Sequence, residues 1–227
     1  MHALRRGCDS TERVNKVHTH LRALLHALRV VAEADSDTIQ IDGLERLCSD
    51  LGVDPTDPVM LMIAWQMRCE QMCVFTRQEW LQGMTEMGCD SIEALKAVFP
   101  QLKAMLEDHD AFRDYYQFCF KFAKEPGFGV RTLPTEVAKQ MWALTLAERF
   151  PLLDAWNEFI DQEGVRAVTK DVWDMLLTFA NDVDEDMGNY DDDGAVRNPT
   201  PRLLRMERAL TACTSCVRVR DSNSGLS

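Results

Sequence analysis

One stretch of the chain carries oxygen-bearing side chains at the spacing of a calcium-binding loop. Residues 189–194 read Asn-Tyr-Asp-Asp-Asp-Gly, which fits the N-x-D-x-D-G opening of an EF-hand loop. Such a loop completes its oxygen shell with a bidentate carboxylate at its twelfth position, and the residue there is Thr200. A second acidic candidate, residues 35–40, has Ile39 and Gln40 where an oxygen ligand and the turn glycine belong. The pattern therefore favours solvated acidic turns over bound calcium.

Cysteine spacing gives equally little support for a zinc site or a nucleophilic centre. Cys213-x-x-Cys216 has no second Cys or His pair at ligand spacing, and one pair cannot fill four coordination sites. Cys69 and Cys73 are one turn apart at the end of a predicted helix. No motif pairs a Cys or Ser with a base, and no glycine-rich loop for a phosphate is present. We therefore expect neither a metal nor a cofactor.

Composition favours a globular protein with an acidic surface. The 227 residues include 25 Lys+Arg and 37 Asp+Glu, which gives a formal net charge of −12. This length is enough for one domain or two small ones with a substantial core. The acidic balance argues against nucleic acid as a partner, because phosphate binding needs clustered Lys and Arg. The longest uncharged apolar stretch, residues 58–67, is about half as long as a bilayer span. We therefore expect no membrane partner and a cytoplasmic or nuclear location.

The cysteines fit free thiols of a reducing compartment better than disulfides. Five of the eight lie within or beside apolar helical patterns, where a thiol behaves as a small hydrophobic group. These are Cys48, Cys69, Cys73, Cys89 and Cys119. We expect them to be free and buried.

Charge divides the chain into three parts. Residues 1–32 are basic, with apolar side chains at helical spacing, and predict an amphipathic helix. This helix either packs on the body of the protein or binds a membrane surface or a partner helix. Residues 33–195 are acidic and rich in helix start signals, whereas residues 196–227 are basic, contain no aromatic residue and read as a flexible tail.

The middle part predicts an all-α domain. Thr76 and Glu79 have the spacing of a capping box, as do Asp90 and Glu93, and Thr169 can cap the last helix. Helices are predicted near 43–51, 58–71, 77–88, 91–107, 110–124, 134–148, 150–162 and 170–186. Only 38–42 and 73–76 look extended, and two such short pieces resemble the bridge that joins paired EF-hand loops.

One helical face has two possible meanings. Met60, Ile63, Ala64 and Met67 share a face of the predicted helix 58–71. The small Ala64 among methionines leaves room for an inserted apolar anchor, but the same pattern suits ordinary core packing.

Several runs of sequence between residues 37 and 195 resemble, in the same order and without large gaps, the motifs of one known family. They are Ile41–Pro55, Met62–Trp65, Phe75–Trp80, Gly83–Asp90, Tyr116–Ala123, Trp156–Phe159, Lys170–Leu177 and Asn189–Ala195. These runs resemble the defective-in-cullin-neddylation family and its potentiating-neddylation (PONY) domain. The resemblance implies a compact all-α PONY-type domain over 33–195 with a degenerate EF-hand-like pair of helical hairpins, C-terminally incomplete because 196–227 diverges.

The resemblance implies a scaffold-type co-ligase that is not itself an enzyme. Family members hold an N-acetylated conjugating enzyme, charged with a ubiquitin-like modifier, against the winged-helix domain of a cullin. The ring-box ligase is then an indirect partner. Holding the thioester and the acceptor lysine in one geometry raises their effective concentration.

Two family sites carry over to this sequence. The first is an apolar pocket for the acetylated N-terminal methionine of the conjugating enzyme, where a charged amine would carry a large desolvation cost. Its lining falls on Asp42, Leu44, Met60, Ile63, Ala64, Met67, Cys73, Phe122 and Leu144. The second is an acidic cullin-binding patch, to which Asp171 and Ala195 correspond.

The third member of the cullin patch has no counterpart in this chain. Its counted position holds Pro201, after the point at which the sequence leaves the family pattern. The resemblance thus implies a weakened cullin site. Two other functions stay open: a calcium-responsive EF-hand-like protein, and a truncated isoform that binds only the conjugating enzyme.

Overall fold

The computed structural model describes residues 37–124 and 131–182, and the predicted N-terminal helix and basic tail lie outside them. The chain forms two compact units, and the boundary between them lies between Phe118 and Cys119. The first holds β1 (Thr38–Ile39), α1 (Ile41–Leu51), α2 (Pro58–Gln66), β2 (Phe75–Thr76), α3 (Arg77–Glu86), α4 (Ile92–Ala97) and α5 (Phe99–Met105). Helix α6 (His109–Phe122) contributes residues to both units, and the second continues with β3 (Thr132–Pro134), α7 (Thr135–Leu146), α8 (Leu153–Gln162), β4 (Ala167–Thr169) and α9 (Lys170–Asp182). The predicted all-α class is confirmed.

The predicted bridge between two extended pieces is confirmed in the first unit. β1 and β2 pair antiparallel, with Thr38 opposite Thr76 and Ile39 opposite Phe75. Both pieces are shorter than predicted, because α1 already begins at Ile41 and Cys73 takes a positive φ of 60°.

The second unit has a bridge of its own, which the sequence did not predict. β3 and β4 pair antiparallel, with Leu133 opposite Val168 and Pro134 opposite Ala167. We predicted that Pro134 would start a helix, whereas it is the last residue of β3 and stands directly before α7. A proline suits the end of an edge strand because it has no N–H to leave unpaired.

Side-chain caps set the helix starts. Thr76 Oγ1 accepts a hydrogen bond from the Glu79 N–H at 3.2 Å, while the Glu79 carboxylate accepts from the Thr76 N–H at 2.7 Å, so this capping box is confirmed. The other predicted box is wrong by one residue, because Ser91 caps α4 and accepts from the Ala94 N–H at 3.1 Å.

The predicted helix 91–107 is two helices. Pro100 lies in the first turn of α5, where its missing N–H leaves no bond unmade. The chain therefore turns at Val98, between α4 and α5.

Helix α2 ends at Gln66 rather than at residue 71, because Arg68 turns the chain into the left-handed region at φ 54°. The Arg68 N–H donates to the Trp65 carbonyl and the Cys69 N–H to the Ala64 carbonyl, both at 3.0 Å. This is a Schellman ending, and glycine normally holds its left-handed position. Cys69 and Cys73 therefore do not lie on a helix end, as predicted, but in the loop that follows α2.

Replacing Arg68 by glycine is expected to stabilise the protein. The left-handed conformation costs a residue with a Cβ about 1–2 kcal/mol, part of which is offset by the greater freedom of glycine in the unfolded chain. The Arg68 side chain is largely exposed, and its nearest carboxylate oxygen, on Glu86, is 4.0 Å away, so little is lost with it. We expect Arg68→Gly to raise the free energy of unfolding by about 0.5–1 kcal/mol, measured by urea denaturation. Arg68→Ala keeps the Cβ and should give no gain; an equal gain would contradict the strain argument.

Buried tryptophans form the cores of both units. In the first, Trp65 Nε1 donates to Asp114 Oδ2 at 2.9 Å, and its ring meets Tyr115 edge-on with 5.4 Å between centroids. These contacts fix α2 against α6. In the second, Trp142 stacks on Trp173 at 5.5 Å and meets Trp156 edge-on at 5.7 Å. In the described ranges, no helix has the length and apolar character needed to cross a bilayer.

Candidate functional site

Helix α2 carries the face formed by Met60, Ile63, Ala64 and Met67, for which the sequence left open core packing or a site for an apolar anchor. Its start is fixed by Asp57, which accepts from the Val59 N–H at 2.9 Å, and by Pro58 in the first turn. Ile63, Ala64 and Met67 are 0%, 2% and 1% exposed. Met60, one turn nearer the start, is half-buried. Most of this face therefore serves the core, and Met60 is the member that offers surface.

The other predicted pocket residues differ in exposure. On α1, Leu44 is half-buried and Asp42 is exposed, and Cys73 in the loop before β2 is exposed as well. Phe122 and Leu144 belong to the second unit, where the first is buried and the second half-buried. Within the first unit, Leu44 and Met60 are thus the apolar members of the predicted set with accessible surface.

Sequence reasoning missed Gly83, which governs how closely α3 approaches the end of α2. A Cβ at Gly83 would lie 2.3 Å from Met67 Cγ and 2.8 Å from Met67 Cα, so the two backbones touch without an intervening side chain. The signal in the sequence was a glycine in the middle of a helix, between Trp80 and Met84, which usually has a packing reason.

The cysteines are free, as predicted, in the part of the chain that the structure describes. Four are buried, but the prediction was wrong for Cys73, which is exposed in the loop before β2. Burial, and next the charge of Glu79, raise the pKa of the Cys69 thiol. Burial likewise raises the pKa of Cys48 and of Cys89, so these groups stay protonated and are poor nucleophiles.

The described residues contain no group of three or more His, Cys, Asp or Glu side chains that would hold a metal ion. The best calcium candidate in the sequence, residues 189–194, lies outside the described residues, as do Cys213 and Cys216.

Asp171 lies in the first turn of α9 and is exposed. Thr169 caps this helix, as predicted, and accepts from the Val172 N–H at 3.3 Å. Next to it, Lys170 forms an ion pair with Asp174 one turn further on. A carboxylate here complements the positive end of the helix dipole. Two residues further on, the buried Trp173 stacks on Trp142 and fixes α9 in the second unit. Asp171 is therefore exposed on a helix that is held in place by core packing. Ala195, the other predicted member of this patch, lies outside the described residues.

Comparisons with known proteins agree with the resemblance read from the sequence motifs. A family model described as "Cullin binding" matches residues 94–197, which include Asp171. DCN1-like protein 5 of Homo sapiens is 38% identical over 154 residues, which cover 68% of this chain and 64% of that protein.

Two further relatives match over longer stretches of this chain. DCN1-like protein 4 of Danio rerio is 38% identical over 159 residues, covering 70% of this chain and 56% of that protein. DCN1-like protein 3 of Rattus norvegicus is 34% identical over 186 residues, or 81% and 61%. The chain spans less than two thirds of the length of these relatives. The matches confirm the resemblance, and the chain belongs to the family of DCN1-like, or defective-in-cullin-neddylation, proteins.

Proposed function

We propose that this chain promotes cullin neddylation as a scaffold that binds the cullin and the modifier-conjugating enzyme together. The observation that supports this most is the exposed Asp171 at the capped start of α9, inside the region that the cullin-binding model matches. The half-buried Leu44 and Met60 support the second half of the proposal, because they give an acetylated methionine an apolar surface to bury against.

Such a scaffold acts by position alone. Bringing a thioester and an acceptor lysine into one geometry replaces a bimolecular encounter by an effectively unimolecular step. The scaffold then needs rigid supports for its two binding sites rather than catalytic groups. Stacked and edge-on aromatic rings behind α9 and the Trp65–Asp114 hydrogen bond behind α2 are supports of this kind.

A reconstituted reaction tests the proposed function as a whole. Activating enzyme, conjugating enzyme, modifier and a cullin with its ring-box ligase are combined with and without this chain, and the initial rate of cullin modification is measured. We expect a rate increase that saturates with the concentration of the chain, since the effect requires complex formation. An unchanged rate across that titration would contradict the proposal.

Removing the carboxylate at Asp171 is expected to weaken cullin binding at least tenfold. Loss of one partner of a desolvated charge pair costs about 2–5 kcal/mol, and 1.4 kcal/mol corresponds to a factor of ten. Calorimetry with the isolated winged-helix domain of the cullin measures the change for Asp171→Ala. Asp154→Ala is the matched control, because Asp154 is likewise an exposed aspartate in the first helical turn, on α8. Equal losses in the two variants would mean that Asp171 acts only through net charge.

A further inference from the structure

The loop between α2 and β2, residues 67–74, holds two residues with a left-handed backbone conformation. Arg68 has φ 54° and Cys73 has φ 60°, and neither is a glycine. Residues with a Cβ rarely adopt this region, and such conformations persist only where the surrounding structure holds them. The Schellman ending of α2 holds Arg68, whose N–H donates to the Trp65 carbonyl at 3.0 Å. Cys73 lies beyond that ending, so another contact must hold its part of the loop.

The carboxylate of Glu79 makes such a contact. Glu79 Oε1 accepts a hydrogen bond from the Glu70 N–H at 2.8 Å, across nine positions of the sequence. Glu79 Oε2 accepts from the Thr76 N–H and from the Thr76 hydroxyl, both at 2.7 Å. Within the loop itself, the Val74 N–H reaches the Gln71 carbonyl at the longer distance of 3.4 Å. One carboxylate therefore joins the middle of the loop to the end of β2 and the start of α3.

Starting a helix does not by itself require this carboxylate. In the second unit, Thr169 caps α9 in the same manner, since its hydroxyl accepts a hydrogen bond from the Val172 N–H at 3.3 Å. The position that corresponds to Glu79 is thus Val172, whose side chain has no acceptor. The carboxylate is therefore an addition in the first unit, and one of its two oxygens serves the loop rather than the helix.

We propose that Glu79 is a positioning residue for the binding of the acetylated methionine. Its carboxylate fixes the loop 67–74, and with it Cys73, the exposed member of the predicted pocket in this loop. This inference rests on the proposed function, because it takes Cys73 as part of the site that binds the conjugating enzyme. A loop that is attached in this way is ordered before the peptide arrives, so less conformational freedom is lost on binding.

Glutamine in place of Glu79 separates the attachment of the loop from the cap of the helix. A carboxylate accepts hydrogen bonds with both oxygens, whereas an amide has one accepting oxygen and an NH2 group that only donates. Thr76 offers two donors and Glu70 offers one, so the amide oxygen should face Thr76 and the NH2 group should face the Glu70 N–H. Glutamine also serves at this position of a capping box. Glu79→Gln is therefore expected to keep the cap and release the loop.

Peptide affinity measured with the full chain tests the proposal. A labelled peptide from the start of the conjugating enzyme, beginning with N-acetylmethionine, is titrated with the native chain and with Glu79→Gln, and its fluorescence anisotropy is followed. We expect binding to be about tenfold weaker in the variant, because the binding-competent fraction of the loop falls by about the factor that one hydrogen bond to a charged group supports. Ser91→Ala is the matched control, since it removes the cap of α4 in the same unit, outside the loop, and should bind as the native chain does.

Amide hydrogen exchange, followed by NMR, tests whether the loop is the part that changes. In Glu79→Gln, exchange of the Glu70 N–H should be about tenfold faster, whereas the Cys69 N–H, which donates to the Ala64 carbonyl at 3.0 Å, should keep its rate. Equal peptide affinity of the native chain and Glu79→Gln, the same loss in Ser91→Ala, or weaker binding with unchanged exchange at Glu70 would each overturn the positioning role. A native chain that does not bind the acetylated peptide would contradict the proposed function itself, and this role with it.

Discussion

A peptide that begins with N-acetylmethionine, taken from the start of the neddylation-conjugating enzyme, is expected to bind this chain at least tenfold more tightly than its unacetylated form. A free amine is charged at neutral pH, and burying it without a counter-ion costs more than the 1.4 kcal/mol that corresponds to about a factor of ten. Leu44 and Met60, the apolar members of the candidate pocket in the first unit that have accessible surface, cannot solvate that charge. Fluorescence anisotropy of the two labelled peptides measures the difference, and equal affinities would contradict the pocket.

The exposure of the pocket residues decides which variant tests this binding. Ala64 is 2% exposed, so an arginine there would disturb the core and the loss of binding would be ambiguous. Met60 is half-buried, and Met60→Arg puts the charge at the surface of the site. We expect it to abolish the preference for the acetylated peptide. Met105→Arg is the matched control, because it changes an exposed methionine elsewhere in the first unit.

Alanine at Gly83 is expected to destabilise the protein by about 2–3 kcal/mol, although alanine is the better helix former by about 1 kcal/mol. The added Cβ would lie 2.8 Å from Met67 Cα, a backbone atom that cannot rotate away. Helices α2 and α3 would have to separate, which costs packing throughout the first unit. The change should appear as a lower urea midpoint with an unchanged slope.

Two further variants separate overlap from other effects of alanine. Gly88→Ala adds a Cβ where no atom lies within 4 Å, so it should lose only the roughly 1–2 kcal/mol of its positive φ. The double variant Gly83→Ala/Met67→Ala removes Met67 Cγ but keeps the contact with Met67 Cα. We expect it to recover at most part of the stability that Gly83→Ala loses. Unchanged or increased stability in Gly83→Ala would contradict the close approach of the two helices.

Helix starts could be predicted from the sequence better than helix ends. The caps at Thr76 and Thr169 follow from local chemistry, since a hydroxyl satisfies an N–H a few residues away wherever the helix packs. The end of α2 could not be predicted, because arginine rarely takes the left-handed conformation that Arg68 adopts. The second bridge was missed for a different reason. Its first strand has three residues and ends in Pro134, which is too short for the alternation of apolar and polar residues by which a strand is recognised.

For the candidate sites, the sequence likewise predicted the local position of a residue but not its exposure. Helical spacing places Met60, Ile63 and Ala64 on one face, but the period is the same whether a face meets the core or a ligand. Only the fold reveals that Ile63 is buried and Met60 accessible. Asp171 was easier, because a residue two positions after a capping threonine lies in the first turn of the helix, where a carboxylate complements the positive end of the helix dipole.

The tryptophans make this protein its own optical probe. All five of the chain lie in the described part and are buried, and three of them, Trp142, Trp156 and Trp173, are in ring contact within the second unit. Indoles away from water emit at shorter wavelength, and stacked indoles couple in the near-ultraviolet circular dichroism spectrum. Loss of packing in the second unit therefore changes the dichroism of the coupled set. Trp65, hydrogen-bonded on α2 and outside that set, reports from the helix that carries Met60. Changes in the first unit can thus be followed without a label.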